Sequence, residues 1–185
     1  MDAFVVVDMQ LGLHAGAPKH DLPGVVARIN ALASAVRRRS GHIIWIRHCG
    51  KPGDPFEREA PGWAFLTELD RDARDLVVEK TLNDSFAGTS LRATLERLAA
   101  DRVVVAGWAT DFCVDTTVRS AVSNGFHVAV AADAHTVADR PHLPAAEVIR
   151  HHNWVWNGLI TDRSIRVVPT SQLIDESAAS ISRHT

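Results

Sequence analysis

The sequence predicts an α/β fold in which a parallel β-sheet lies between two layers of helices. Short, continuous runs of apolar residues recur along the chain, as they do in strands that are buried on both faces of a parallel sheet. Between these runs lie segments whose apolar residues recur every three or four positions, which is the spacing of an amphipathic helix. Alternating strands and helices favour a three-layer, Rossmann-like, doubly wound fold with right-handed crossovers.

Six apolar runs are predicted to be the strands. They span residues 3–7, 43–46, 76–78, 103–106, 128–132 and 165–168. The first run is not preceded by a basic segment or a long apolar stretch, so it is interpreted as a strand and not as a signal peptide. No run approaches the roughly 18 apolar residues that a membrane span needs, and we therefore expect no membrane partner.

Four helices are predicted between the strands. Their apolar stripes are formed by Val25, Ile29, Leu32 and Val36, by Leu91, Leu95 and Leu98, by Val114, Val118, Ala121 and Val122, and by Val148, His152 and Val155. The first helix is expected to end at Ser40 and Gly41, and the second is expected to begin at an N-cap formed by Thr89 or Ser90. The fourth helix is expected to begin near Pro144.

Residues 50–63 form the one long stretch that fits neither pattern. This stretch is rich in proline and glycine and alternates charges of both signs. An irregular segment of this length after a strand is more often functional than decorative, and Trp63 at its end is a candidate lid residue. No repeat, low-complexity tract or linker interrupts the chain, so residues 1–185 are predicted to form one domain.

The composition excludes several classes of protein. With 46% hydrophobic residues, 23% charged residues and a formal net charge of −2, the chain resembles an ordinary globular protein without an electrostatic footprint for nucleic acid. Its two cysteines cannot form a disulfide scaffold or a four-thiolate zinc site. We expect a cytoplasmic location, where both thiols stay reduced. Because the chain has no tyrosine, proton transfer must use carboxylates, histidines, a lysine or a thiol.

Chemically active residues follow four of the predicted strands. Asp8 follows the first strand, Arg47 and His48 the second, Lys80 the third, and the segment ending at Cys113 the fourth. Ligand sites of open parallel sheets lie at the carboxyl ends of the strands, near the point where the strand order reverses. The sequence therefore predicts that an acid, a histidine, a lysine and a thiol come together at this edge.

Cys113 is the candidate nucleophile. It follows a strand and a glycine-containing turn, and it stands in the first turn of the third predicted helix. Amide groups and the helix dipole at such a position are expected to lower the pKa of a thiol and can hold an oxyanion. The alternative is that Cys113 is a small buried hydrophobic residue. Cys49 is interpreted as incidental, although a redox pairing of the two cysteines stays open.

Three segments resemble, in order, the signature segments of the isochorismatase-like cysteine hydrolase family. They are residues 6–10 (VVDMQ), 79–89 (EKTLNDSFAGT) and 106–114 (AGWATDFCV). The resemblance implies a six-stranded parallel sheet of order 3-2-1-4-5-6 and a catalytic triad of Asp8, Lys80 and Cys113. It also implies a cis peptide bond between Trp108 and Ala109, an oxyanion hole formed by the amides of Ala109 and Cys113, and assembly as a homodimer or homotetramer.

The activity implied by the resemblance is hydrolysis of a C–N bond in a small molecule. The bond would be an amide, carbamoyl or lactam bond other than a peptide bond, cleaved through a thioester without a cofactor. Nicotinamidase members bind a metal through an Asp-x-His pattern and a further histidine after the second strand, where this chain has Arg47, His48, Cys49 and Gly50. We therefore expect no metal. Nicotinamidase-type or isochorismatase-type hydrolysis, or a non-catalytic binding protein, are the alternatives.

Several residues beside the triad segments are predicted to bind the substrate. They are Gln10, His48, Trp63, Asn83, Phe86, Trp108 and Phe112. A second Asp-x-His pattern, at Asp133 and His135, lacks a third ligand and is interpreted as a loop or supporting feature. Residues 133–136 and 151–154 are faintly similar to streptothricin-hydrolase-like members of the family, which open a cyclic amide.

Overall fold

The computed structural model describes residues 2–181, with side chains up to residue 176. Within this range the strands are β1 (Asp2–Val7), β2 (His42–His48), β3 (Leu76–Lys80), β4 (Arg102–Trp108), β5 (His127–Thr136) and β6 (Ile165–Val168). The helices are α1 (Leu22–Arg37), α2 (Leu91–Arg97), α3 (Asp115–Ser123), α4 (Ala145–Asn157) and α5 (Thr170–Ile181). Two 3-10 turns, Leu11–His14 and Pro61–Trp63, and a π-helical turn, Thr110–Val114, lie in the connections.

The strands form one parallel sheet with the order β3-β2-β1-β4-β5-β6. The predicted fold class and strand order are confirmed. After β1 the chain builds the sheet in one direction through β2 and β3, and then returns to place β4 on the other side of β1. The strand order therefore reverses between β1 and β4, and their carboxyl ends flank the crevice where a ligand site is expected.

Two hydrophobic clusters cover the two faces of the sheet. On one face, Phe4 and Val6 of β1 pack with residues of α1 and with Leu173 of α5. On the other face, Val5 and Val7 pack with residues of α2, α3 and α4. Because the side chains of each strand alternate between two buried layers, each strand is a continuous apolar run in the sequence. Within residues 2–181, no helix has both the length and the apolar character needed to cross a membrane.

The fifth strand is longer than predicted. It continues to Thr136, because its register with β4 shifts between Val105 and Gly107 and the pairing resumes at Gly107 with His135. Asp133 and His135 therefore lie in a strand and not in the expected loop. Helix α5 was not predicted. Its anchor is Leu173, which is 2% exposed in the α1-face cluster, and such a small apolar stripe gives little signal in the sequence.

After helix α1 the chain turns so tightly that Gly41 lies close to Val36. Ser40 adopts the left-handed conformation (φ 59°), and the amide of Gly41 donates to the carbonyl of Val36 at 3.0 Å. A Cβ atom at Gly41 would lie 2.6 Å from Val36 Cγ1. Helix α1 ends at Arg37, before the predicted end at Ser40 and Gly41, which lie in the turn that follows it. Crowding favours glycine at position 41, since the left-handed residue is Ser40.

Candidate active site

The three predicted catalytic side chains meet at the carboxyl edge of the sheet. Asp8 directly follows β1, Lys80 ends β3, and Cys113 lies in the π-helical turn after β4. Lys80 Nζ lies 2.6 Å from Asp8 Oδ2 and 3.3 Å from Cys113 Sγ. The side chains of Asp8 and Lys80 have no exposed surface, and Cys113 is 7% exposed. The ammonium group thus bridges a buried carboxylate and a thiol at the edge of the protein surface.

Lys80 reaches this position from the edge of the sheet. It pairs in register with His48 of β2, so its long side chain extends past the end of that strand toward Asp8. Its Nζ also donates to the backbone carbonyl of Leu82 at 3.0 Å. An ammonium group has three donors, and here they face a carboxylate, a carbonyl and a sulfur atom. These contacts hold Lys80 in one orientation between Asp8 and Cys113.

Gly107 allows β1 and β4 to approach each other next to the site. It has a φ of 122°, and a Cβ atom there would lie 2.2 Å from the carbonyl oxygen of Val7. The next peptide bond, between Trp108 and Ala109, is cis. The carbonyl of Ala109 then accepts hydrogen bonds from the amides of Phe112 at 3.1 Å and Val114 at 3.0 Å, which closes the turn around Cys113.

Burial raises the pKa values of the acid and of the thiol. It raises the pKa of Asp8, although the charge of Lys80 opposes this shift. Burial, together with the negative charge of Asp8, raises the pKa of Cys113 to about 12. The expected lowering of the thiol pKa is therefore wrong, because burial and Asp8 outweigh the favourable effect of Lys80. The resting thiol is therefore protonated, and it lies beside the contact between Lys80 and Asp8.

Four predicted substrate-binding residues surround the triad or its turn. Asn83 Oδ1 lies 3.6 Å from Cys113 Sγ. The pKa of His48 is lowered by burial and by the charge of Lys80. Phe112 is 50% exposed and stacks with the guanidinium group of Arg140 at 5.0 Å. His48 Nδ1 and Trp108 Nε1 are buried without a hydrogen-bond partner, which leaves two polar groups available beside the site.

The other three predicted contacts bond or pack within the protein. The amide group of Gln10 donates to the carbonyls of His48 at 3.0 Å and Trp63 at 2.9 Å, and its oxygen accepts the amide of His48 at 2.8 Å. Trp63 donates its indole N–H to Cys49 Sγ at 3.2 Å. Phe86 packs on Phe126 at a ring distance of 6.0 Å. The polar groups or rings of these residues are thus engaged within the protein, and their role as substrate contacts stays a prediction.

The described residues show no metal centre. Among residues 2–181, no three His, Cys, Asp or Glu side chains form a group that could hold a metal ion. His151 and His152 meet edge to face at a ring distance of 5.5 Å, and His152 Nδ1 bonds to the carbonyl of Val148. Both cysteines are free thiols.

A family model described as the isochorismatase domain matches residues 2–154. This chain belongs to the isochorismatase family. The predicted family is thus confirmed. A streptothricin hydrolase from Streptomyces noursei is 30% identical over 145 residues, which cover 78% of this chain and 52% of that protein. The chain therefore spans about half of the length of this relative.

Two further comparisons support the same family. The maleamate amidohydrolase of Pseudomonas putida is 28% identical over 162 residues, which cover 77% of this isochorismatase-family chain and 74% of that enzyme. The crystal structure of an isochorismatase-family protein from Chromobacterium violaceum has a TM-score of 0.86 and 27% identity, covering 96% of this chain and 94% of that chain. The fold thus extends over β6 and α5, beyond the segment that the family model matches.

Sequence reasoning missed Phe56 and the partners of Thr110 in this family member. Phe56 is 7% exposed, stacks on Trp108 at a ring distance of 5.4 Å and meets His48 edge to face at 6.0 Å. It belongs to the irregular stretch of residues 50–63, and its aromatic character was the available signal. Thr110 bonds to His135, a residue 25 positions away that no local pattern connects with it.

Proposed function

We propose that this protein is a cysteine hydrolase that cleaves a C–N amide bond of a small molecule through a thioester on Cys113. The observation that carries this proposal is the buried bridge of Lys80 Nζ between Asp8 Oδ2, at 2.6 Å, and Cys113 Sγ, at 3.3 Å. A buried ion pair in contact with a thiol costs desolvation energy, and such arrangements concentrate at functional sites.

Asp8 serves as general base in the first half of the proposed reaction. It accepts the thiol proton of Cys113, and the sulfur forms a bond to the substrate carbonyl carbon. The amides of Ala109 and Cys113 donate hydrogen bonds to the resulting oxyanion. When the C–N bond breaks, Asp8 returns the proton to the leaving nitrogen, and ammonia or an amine departs.

Water completes the proposed reaction. Asp8 takes a proton from the water molecule, whose oxygen attacks the thioester carbonyl. The C–S bond breaks, a carboxylic acid is released, and Cys113 regains its proton from Asp8. The raised pKa of Asp8 suits this alternation, because a base is most effective when its pKa approaches those of the groups with which it exchanges protons. Lys80 holds the Asp8 carboxylate and stabilises the transient thiolate by its charge.

The names of two relatives support an amide substrate. They are the maleamate amidohydrolase and a ureidoacrylate amidohydrolase from Stutzerimonas stutzeri. The bond cleaved here is therefore an amide, carbamoyl or lactam bond. We propose further that the chain is one catalytic domain, acting as a homodimer or homotetramer in the cytoplasm, and that it needs no cofactor.

A panel of small amides, scored by release of ammonia or amine, tests the proposal. With the best substrate, Cys113→Ser should lower kcat by about a thousandfold or more, whereas Cys49→Ser should keep most of the activity. Cys49 is a matched control, because serine can still accept the bond from Trp63. Mass spectrometry of a quenched reaction should find the acyl group on the peptide that contains Cys113. Full activity of Cys113→Ser would exclude the thioester.

A further inference from the structure

His135 is a buried histidine that contacts the turn carrying Cys113. It lies at the end of β5, opposite Gly107 in the register with β4, and is 1% exposed. Its Nδ1 lies 2.9 Å from Thr110 Oγ1, and its Nε2 lies 2.9 Å from Asn153 Oδ1. Both ring nitrogens thus have a partner. Thr110 directly follows Ala109, whose amide belongs to the proposed oxyanion hole, and Asn153 belongs to α4.

The partners of His135 fix its tautomer. Asn153 Nδ2 donates to the carbonyl of Ala132 at 2.9 Å, so the oxygen of the Asn153 amide faces the histidine and can only accept. His135 Nε2 must therefore carry the hydrogen. Burial lowers the pKa of His135 to about 4, so the ring is neutral and Nδ1 is an acceptor. The hydroxyl of Thr110 consequently donates to Nδ1 and has a single orientation.

Helix α4 holds the Cys113 turn at both of its ends. Before Cys113, Thr110 is connected to Asn153 through His135. After Cys113, Asp115 Oδ1 accepts a hydrogen bond from the indole N–H of Trp156 at 2.8 Å. Trp156 is itself fully buried and meets the ring of His135 edge to face at 5.0 Å. The two connections are therefore packed against each other and act on the same five-residue turn.

We propose that His135, as the Nε2–H tautomer, is a positioning residue that fixes Thr110 and thereby the orientation of the turn that carries Cys113 and follows Ala109. The inference rests on the proposed role of Cys113 as the nucleophile. His135 touches no reacting group. Its effect is geometric, because a displacement of about 1 Å at a nucleophile or an oxyanion donor can reduce a rate by about a hundredfold.

A pair of substitutions at Thr110 tests this inference. Thr110→Val keeps the shape but removes the hydroxyl donor, whereas Thr110→Ser keeps the donor. In a Cys49→Ser background, Thr110→Val should lower kcat by about tenfold or more with KM changed less than about twofold, and Thr110→Ser should stay within about threefold of the parent. The rate of alkylation of Cys113 by iodoacetamide should change in Thr110→Val by about fivefold or more and stay near the parent value in Thr110→Ser.

The outcomes separate this inference from the proposed function. If no amide is hydrolysed by the parent protein, the proposed function fails, but the alkylation rates still test the position of the thiol. If Thr110→Val and Thr110→Ser share the same kcat and the same alkylation rate, the inference is overturned even where their melting temperatures differ.

A second pair of variants covers the case in which Thr110→Val does not fold. His135→Asn places an oxygen near the position of Nδ1 and can keep the bond to Thr110, whereas His135→Gln places a donor near Nε2 and can keep only the bond to Asn153. We expect His135→Asn to retain more kcat and a more parent-like alkylation rate than His135→Gln. If both variants lose the same kcat, or if His135→Asn loses more, the bond from Thr110 to His135 is not the one that positions the turn.

Discussion

Cys113 combines a position beside an ammonium group with a pKa that burial and Asp8 raise to about 12. These two facts are compatible if the thiolate exists only while Asp8 holds the proton. The carboxylate both suppresses the free thiolate and accepts its proton during the reaction. A resting thiol of this kind is protected from chance oxidation, because the thiolate is the reactive form.

Replacement of Asp8 should separate thiol reactivity from hydrolysis. In a Cys49→Ser background, the alkylation rate of the parent Cys113 should rise about tenfold per pH unit up to pH 10, because its pKa lies above this range. Asp8→Asn removes a negative charge that raises this pKa and leaves Lys80 beside the thiol. We expect alkylation at pH 8 to become about tenfold faster or more.

The same Asp8→Asn variant should lose hydrolysis of the best amide, because it can neither accept nor return the proton. Circular dichroism should first establish that the variant is folded, since a buried Lys80 without its partner is destabilising by about 3–5 kcal/mol. Slower alkylation in a folded Asp8→Asn variant would contradict the account of the electrostatics of this site.

At the scale of the elements, the contact between β1 and β4 determines where the turn of Cys113 begins. Strand β4 pairs with β1 up to Gly107, and the turn begins three residues later at Thr110, with Ala109 as its N-cap. A side chain at position 107 would overlap the carbonyl of Val7. Glycine at this position therefore lets β1 and β4 pair closely up to the residues where the turn begins.

Two glycine variants test this link. Gly107→Ala should lower the free energy of unfolding by about 3 kcal/mol or more, because the new Cβ would lie 2.2 Å from the Val7 carbonyl oxygen. Gly125→Ala is the matched control. Gly125 also has a positive φ, of 79°, but no atom lies within 4 Å of its added Cβ, so only about 1–2 kcal/mol of backbone strain is expected. Urea unfolding would compare the two, and equal losses would exclude the close approach as the cause.

The six strands were predictable, because burial on both faces makes each an uninterrupted apolar run. The continuation of β5 to Thr136 was not, since residues 133–136 pair with β4 only after a shift of register. Nor could local pattern reveal that Gln10 and Trp63 would be engaged by β2 and Cys49. Such contacts join residues that lie 14 to 53 positions apart.

At the scale of the whole molecule, the parallel sheet brings residues together that the sequence keeps far apart. The meeting of Asp8, Lys80 and Cys113 was predictable, because Asp8 follows β1, Lys80 ends β3 and Cys113 lies in the turn after β4. Parallel strands present these ends at one edge of the sheet. The pKa of the Cys113 thiol was not predictable from the sequence, because it depends on how fully the surrounding layers exclude water. His135 likewise acquires its role only when β5 and α4 pack around the turn.

The stability of the whole protein should depend on pH through His135. The pKa of this residue is lowered to about 4 by burial, whereas an unfolded histidine has a pKa of about 6.5. The unfolded chain therefore binds the proton first, and the contribution of a neutral His135, which is complete above pH 6.5, is lost as the pH falls toward 4. The loss between pH 7.5 and pH 4.5 should be about 2–3 kcal/mol.

Urea unfolding of the parent and of His135→Gln at both pH values measures this effect. Glutamine does not titrate, so the difference in unfolding free energy between the two proteins should shrink at pH 4.5. A constant difference would show that position 135 makes no pH-dependent contribution.

The chain contains three lysines, at positions 19, 51 and 80. Because the Lys80 side chain has no exposed surface, amine-reactive reagents can reach Lys19 and Lys51 without reaching the ion pair with Asp8. Coupling through lysine amines to a solid support would thus attach the folded protein by side chains outside the triad. The burial that keeps water from the ion pair also makes the protein suited to immobilisation.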